Sequence, residues 1–399
     1  MGIYKEFGVT PIINASGAVT RLGGAPMPEE VLKAFNEAAR STVPLEQLQA
    51  AASKAIAEAT GAEAGLVTAG AASALTMGAA AILTGYDLSK MERLPHCEGF
   101  PHQFIVAREQ RSGYDHAVRA AGARLVEVGF NEIVANAGVR RTEAWEYEAA
   151  FGPDTAGVLY VYSPTSRPAL EEVVDVAHQH GVPVLVDAAG ELPPRSNLRT
   201  IAATGADLVA FSGGKAIRGP QSTGILCGRR ALISAAAIQL LDMDDHLELW
   251  QPPTEFIDKA ELSGIPRHGI GRGFKVSKEE IIALLVALRL FTSGAYDTET
   301  LKARRLLERI VEKLNSSPAQ SSILDKGDGE SLPLLEIAID EERAGSTAME
   351  ICLNLRCGKP PIYVSHGALR EGKLRLNPLH LDDSSTEILA ERIREELSR

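Results

Sequence analysis

The chain reads as α/β: a large domain built on a mostly parallel sheet, followed by a smaller α+β domain. Three observations predict this. From about residue 65 to residue 227, short apolar runs alternate with amphipathic helical segments, the pattern of strands joined by crossover helices. Past Gly273 the texture changes to two long helical segments and then short, more widely spaced strands. With 399 residues, 45% of them hydrophobic, the chain can bury a core large enough to divide. The expected domains are 1–273, an N-terminal segment plus the large domain, and 274–399, the small domain.

Taken in order, residues 28–40 and 44–60 carry helical periodicity, separated by Ser41-Thr42-Val43. Residues 65–68 form a short β-type run, and beyond Gly70 an alanine-rich helix follows over 71–83. Residues 103–107 and 124–128 are strand candidates around a helix containing His116. Residues 156–162, 182–186, 207–211 and 224–227 supply further strands, with 169–180 and 197–204 as crossover helices. In the small domain, 277–291 and 298–314 are long amphipathic helices, and 315–330 is a polar connecting stretch. A strand at 334–339, a helix at 346–356, strands at 362–364 and 374–376 and a terminal helix complete it. There is no internal repeat or low-complexity tract.

Charge and composition narrow the function classes. The net charge is −11 and basic runs are short, which argues against a nucleic-acid partner. No apolar stretch reaches the roughly 18 residues of a membrane span, and the first ten residues lack a signal-peptide apolar core. Cys97, Cys227, Cys352 and Cys357 form no C-x-x-C pair and no zinc-type cluster, so reduced thiols in a cytoplasmic protein without a metal are expected.

Three short segments carry chemistry. In T-A-G-A-A-S-A-L a strand enters a helix through Gly70, so the N–H groups of Ala71, Ala72 and Ser73 can approach a phosphate, with the Ser73 hydroxyl beside them. A merely tight-packed helix would read the same way. Asp187 ends the strand run V-L-V-D-A-A, at the edge where open α/β sheets hold ligands. A carboxylate there can pair with a pyridinium N–H, and Ala189 leaves room for a flat ring; the alternative is an Asp that caps the next turn. Lys215 follows F-S-G-G, 28 residues on, where the glycines let the chain turn and direct the amine inward. Ser212 can add a second hydroxyl to the phosphate. A solvated loop lysine is the alternative for Lys215, but the order phosphate loop, D-x-A, S-x-x-K, each at a strand end, is the order a pyridoxal 5'-phosphate enzyme needs.

The wording of these segments resembles the fold type I pyridoxal-phosphate enzymes of the L-seryl-tRNA(Sec) selenium transferase-like group. The matching stretches are P-I-I-N-A-S-G-A-V-T-R-L-G-G-A-P from Pro11, V-D-A-A-G-E from Val186, F-S-G-G-K-A-I-R-G-P-Q-S-T-G-I-L from Phe211 and K-V-S-K-E-E-I from Lys275. The resemblance implies the fold type I transferase fold, Lys215 as the Schiff-base lysine, Asp187 as pyridinium partner, Ser212 as phosphate ligand and His116 stacked on the ring. It also implies a homodimer or a larger assembly of dimers, in which Gln221 or Arg272 completes a neighbour's cofactor or substrate site. The N-A-S-G segment already begins at Asn14, leaving no room for the extra N-terminal domain that the transferase uses for its tRNA. The likeness is better to members of the D-glucosaminate-6-phosphate ammonia-lyase type.

Such an enzyme is expected to eliminate water and ammonia from a small 2-amino-3-hydroxy acid or amino sugar acid, phosphorylated or not. A racemase or aldolase on the same scaffold is the near alternative, and a tRNA-dependent selenium transferase a more distant one. A regulatory module that binds the cofactor without turnover has little need of a pyridinium clamp. For the substrate carboxylate, Arg375 in K-L-R-L-N-P-L offers the planar guanidinium that bidentate contact requires; an Arg on the rim of a strand is the alternative. Arg21, Arg267, His268, Arg272 and Lys275 form a basic set that can meet an acidic tail or serve in ion pairs.

Overall fold

The computed structural model describes residues 2–130, 140–265 and 267–398, arranged as two compact units, 27–292 and 1–26 with 293–399. Its strands in chain order are β1 (Ile13–Ala15), β2 (Ala64–Thr68), β3 (Gln103–Ala107), β4 (Arg124–Val128), β5 (Thr155–Val161), β6 (Val184–Asp187), β7 (Leu208–Ser212), β8 (Gly224–Gly228), β9 (Ala319–Leu324), β10 (Leu334–Ile339), β11 (Ile362–Val364) and β12 (Lys373–Leu376).

Unit 27–292 holds a seven-stranded sheet in the order β2-β8-β7-β6-β5-β3-β4. Every neighbouring pair is parallel except the two that β8 makes, so β8 alone runs against the rest. The strands at the centre are buried on both faces, which is why they read as continuous apolar runs rather than alternating ones. Helix Ala71–Thr84 is almost entirely buried against the sheet, and its small side chains let the backbone lie close. Helix Arg230–Leu240 covers it from outside. The exposed edge of β2 is blunted by helix Leu45–Thr60: Gln49 donates to the Val67 carbonyl at 2.9 Å and accepts from its N–H at 3.0 Å, and the Ser53 hydroxyl accepts from Gly65 N–H.

The first helix beyond the change of texture, Lys278–Thr292, lies with this unit, packed on helices Glu29–Ala38 and Leu45–Thr60. Periodicity shows that a helix has an apolar stripe, not which surface receives it, and the expected boundary near Phe274 differs from the observed division for that reason.

The second unit contains an antiparallel sheet, β12-β10-β9, and a parallel pair, β1-β11, in which Ile13, Asn14 and Ala15 face Ile362, Tyr363 and Val364. Its core joins Ile13 and Ala15 to Leu306, Ile310, Ile337, Leu355, Leu376 and Ile393. Part of the expected polar connection at 315–330 is the edge strand β9. Its sequence A-Q-S-S-I-L has the alternating exposure of a strand half in water, and its two serines hide the pattern. Among the described residues no helix is long and apolar enough to cross a membrane.

Candidate active site

Asp187, Ser212, Lys215 and Ser73 are brought to one end of the seven-stranded sheet. Strand pairing does most of this: Asp187 faces Ala210 across β6 and β7, and two residues on Ser212 faces Gly224 across β7 and β8. Gly224 also faces Thr68 at the end of β2, which leads into helix Ala71–Thr84. The approach is so close that a Cβ on Gly224 would stand 2.4 Å from the Gly70 carbonyl carbon and 2.5 Å from Ala71 N. Gly70 itself takes φ of 89°, where other residues are strained, and aims the first helical turn at the strand ends.

That turn has the fit of a phosphate site. The Ser73 hydroxyl is buried and has no hydrogen-bond partner, although a buried hydroxyl left unpaired is costly. It lies beside the free N–H groups at the start of a 14-residue helix, where an anion's charge is favoured. A phosphate oxygen would satisfy both.

The Asp187 carboxyl accepts the Ala189 N–H at 3.0 Å. Burial pushes it above the usual carboxylate range, while the Ala189 N–H and the Lys215 charge pull it back. Asp187 thus serves as a turn cap and also feels the charge of Lys215. The loop that carries Lys215 is tightly folded: Gly213 N–H donates to Thr223 O at 2.9 Å, Gly219 N–H to Gly213 O at 2.9 Å, and Arg218 N–H to Lys215 O at 3.0 Å. A Cβ on Gly214 would stand 2.5 Å from the Gln221 Cα, so the second glycine of S-G-G-K is required by the loop's return past Gln221. Arg218 is the described non-glycine residue at positive φ, 63°. Ser222 donates to Glu280, which ties the loop to helix Lys278–Thr292.

His116 is exposed on helix Asp115–Ala120, and the next residue, Ala117, accepts the Thr76 hydroxyl at 2.8 Å. That bond fastens the His116 helix beside the first turns of Ala71–Thr84. Gln110 carried no signal in the sequence. It follows β3, accepts Val161 N–H at 2.9 Å, and keeps a buried amide nitrogen with no partner. Val161 faces Asp187 across the sheet, so an unused donor lies at the same sheet edge.

The basic residues are dispersed. Arg272 donates to Asp242 from Nε at 3.0 Å and from Nη2 at 2.6 Å, and His268 lies 3.2 Å from the same carboxylate and 3.6 Å from Asp244. Asp242, Asp244 and His268 have the spacing of metal ligands, but the Arg272 cation already sits on the group. Arg267 stands 3.7 Å from Glu92. In the other unit, Arg375 donates to Glu336 at 2.8 Å, and Lys373 shares that carboxylate at 2.9 Å. Arg21 packs on the Tyr363 ring.

The family model for L-seryl-tRNA selenium transferase matches residues 115–244. A Streptomyces 5'-C-glycyluridine monooxygenase-decarboxylase is 30% identical over 403 residues, covering 98% of this chain and 91% of that protein. The D-glucosaminate-6-phosphate ammonia lyase of Salmonella typhimurium is 26% identical over 402 residues, covering 98% and 97%. A solved structure of D-glucosaminate-6-phosphate ammonia-lyase superposes with a TM-score of 0.82 over 100% of this chain and 98% of that one, at 26% identity. The chain belongs to the L-seryl-tRNA selenium transferase-like family and is a pyridoxal 5'-phosphate-dependent enzyme of fold type I.

Proposed function

We propose that the enzyme is a lyase of the ammonia-lyase type, acting on a small 2-amino-3-hydroxy acid or amino sugar acid whose α-proton it removes. The observation that supports this reading is the pairing of β6, β7 and β8, which brings Asp187 and Ser212 to the sheet end from which the Lys215 loop leaves, with the unpartnered Ser73 hydroxyl at the same sheet edge. Bound pyridoxal phosphate supplies the electron sink for the pair left at the α-carbon. Ser73, Ser212 and the N–H groups of the 70–73 turn would hold its phosphate, Asp187 would accept the ring N–H, and His116 would cover a ring face.

Lys215 has two tasks. Its amine would hold the cofactor, and with substrate bound the Nζ would be free to accept the α-proton. The same Nζ returns that proton to the departing β-hydroxyl as water. Return of the Lys215 amine to its original place would free the product as an enamine, which would tautomerise to an imine and be hydrolysed by one water to a 2-oxo acid and ammonia. Return of the proton to the opposite face of the α-carbon would instead racemise the substrate. Arg375, paired with Glu336 in the structure, is the proposed carboxylate ligand.

A second reading is supported by the 30% identity to a monooxygenase-decarboxylase: the same deprotonated α-carbon meets dioxygen, and the substrate carries a glycyl group on a nucleoside. One experiment separates them. The cofactor-loaded enzyme is mixed with D- and L-serine, D-threonine, D-glucosaminate 6-phosphate and a glycyl nucleoside, following 2-oxo acid, ammonia, chirality and oxygen uptake. Ammonia and 2-oxo acid without oxygen uptake are expected; oxygen uptake with carbon dioxide release would replace the lyase reading, and racemised serine alone would favour the racemase.

A further inference from the structure

We infer that Arg21, Arg356 and Tyr363 form a binding site for a phosphate-type oxyanion in the unit made of the two chain ends. In part this deepens the proposed reading, since a phosphorylated substrate is one source of such an anion.

The parallel pairing of β1 with β11 assembles the group. Tyr363 faces Asn14 in that pair; Arg21 lies in the short turn Thr20–Leu22 that follows β1, and Arg356 in the last turn of helix Ala348–Cys357. Both guanidinium carbons pack on the one tyrosine ring, at 5.4 Å for Arg21 and 5.1 Å for Arg356. With one ring as common neighbour, the two cations lie within the length of a small molecule.

Neither charge meets a carboxylate within the described residues, although the Arg356 guanidinium lies beside the Cys352 thiol. Arg267, Arg272 and Arg375 each meet a carboxylate. Among the described residues, neither Arg21 nor Arg356 has a carboxylate within ion-pair reach, in a chain with 52 acidic and 41 basic side chains. The Arg356 Nε is in addition buried and without a hydrogen-bond partner. Burying a guanidinium nitrogen unpaired is unfavourable, whereas Arg21 is exposed and open to a ligand. An anion held at the rim of the Tyr363 ring would accept from Arg356 and draw in Arg21. Guanidinium forks match phosphate oxygens in bidentate geometry, and stacking on a ring fixes the fork's plane in advance. Two cations suit a dianion better than a single carboxylate, hence a phosphate monoester or free phosphate.

The test uses the cofactor-saturated enzyme and inorganic phosphate as probe, read by titration calorimetry. Saturable binding at one site per chain is expected, weakened about tenfold or more in Arg21→Gln and in Arg356→Ala, with Arg356→Lys intermediate. Cofactor absorbance and far-ultraviolet circular dichroism should stay unchanged, which keeps a folding defect from imitating the result. No saturable binding, or equal binding in parent and both charge-removing variants, overturns the site. The two sources are then distinguished kinetically. If the phosphate belongs to the substrate, inorganic phosphate competes with D-glucosaminate 6-phosphate and Arg356→Ala raises KM for it but not for D-serine. If it belongs to an effector, phosphate changes the rate with D-serine and the change disappears in Arg356→Ala. Because calorimetry needs no turnover, phosphate binding by an enzyme that releases no ammonia would sink the lyase reading and leave this site standing.

Discussion

The Lys215 ammonium favours the ionised form of the Asp187 carboxyl, against the burial that disfavours it. The two groups are reached from adjacent strands, β6 and β7. Lys215→Ala is expected to lose the absorbance band of lysine-bound cofactor and all turnover, while cofactor still binds through its phosphate and ring. A variant that kept the parent's spectrum would remove Lys215 from its assigned place.

Asp187 also makes the cofactor-free protein pH-sensitive in a definite sense. Its folded-state pKa is raised, so between the ordinary carboxylate value and that raised value the folded chain binds the extra proton. Stability contributed by this group is therefore greatest at low pH and falls as pH rises through the folded pKa. Asp187→Asn keeps the acceptor for Ala189 N–H and removes the charge. The cofactor-free Asn variant should melt above the parent at neutral pH, with the gap closing below about pH 4, while activity is lost. Thermal melts of both proteins across pH decide the matter.

Ser73→Ala separates the needs of the empty and loaded protein. Removing an unsatisfied buried hydroxyl leaves cofactor-free stability unchanged or slightly higher. Losing a hydrogen bond to a dianion costs about 1.5–3 kcal/mol, so the cofactor Kd should rise at least about tenfold. Equal cofactor affinity in the two proteins would place the phosphate elsewhere.

Gly224→Ala tests the contact between β8 and the phosphate turn. Its methyl would overlap backbone atoms of Gly70 and Ala71, which have no rotamer by which to retreat. A loss of about 1–3 kcal/mol of stability is expected, with weaker cofactor binding, measured by denaturant unfolding and cofactor titration.

Arg375→Ala leaves Glu336 still paired with Lys373, and the pair it breaks is partly exposed, so stability should fall by less than about 1 kcal/mol. A KM increase of about tenfold or more at little-changed kcat would fit the carboxylate role. An unchanged KM would make Arg375 a strand-surface ion pair and no more.

The central strands were legible because they are buried on both faces; β3, β4, β10 and β11 coincide with the expected runs residue for residue, and β2, β5, β6, β7, β8 and β12 differ only at their ends. β9 escaped because an edge strand needs few apolar residues, and β1 because three residues carry no periodicity. At the site, Asp187, Ser212 and Lys215 stand at strand ends and announce themselves by local wording. The basic residues did not sort themselves, since pairing of Arg272 with Asp242 or Arg375 with Glu336 depends on long-range neighbours. Arg356 and Gln110 were invisible for the same reason: what distinguishes them is the lack of a partner, a property of the folded surroundings alone.

The pairing of β1 with β11 imposes an order of events during synthesis. Residues 27–292 carry every strand of the seven-stranded sheet and can collapse while the ribosome is still at work. The first strand leaves the exit tunnel before any of them, yet its mate lies some 349 positions downstream, the separation between Ser16 and Ser365. Contacts so remote in the chain form late, so the leading segment must wait unpaired, and truncation anywhere before Ile362 should leave it without a strand to join.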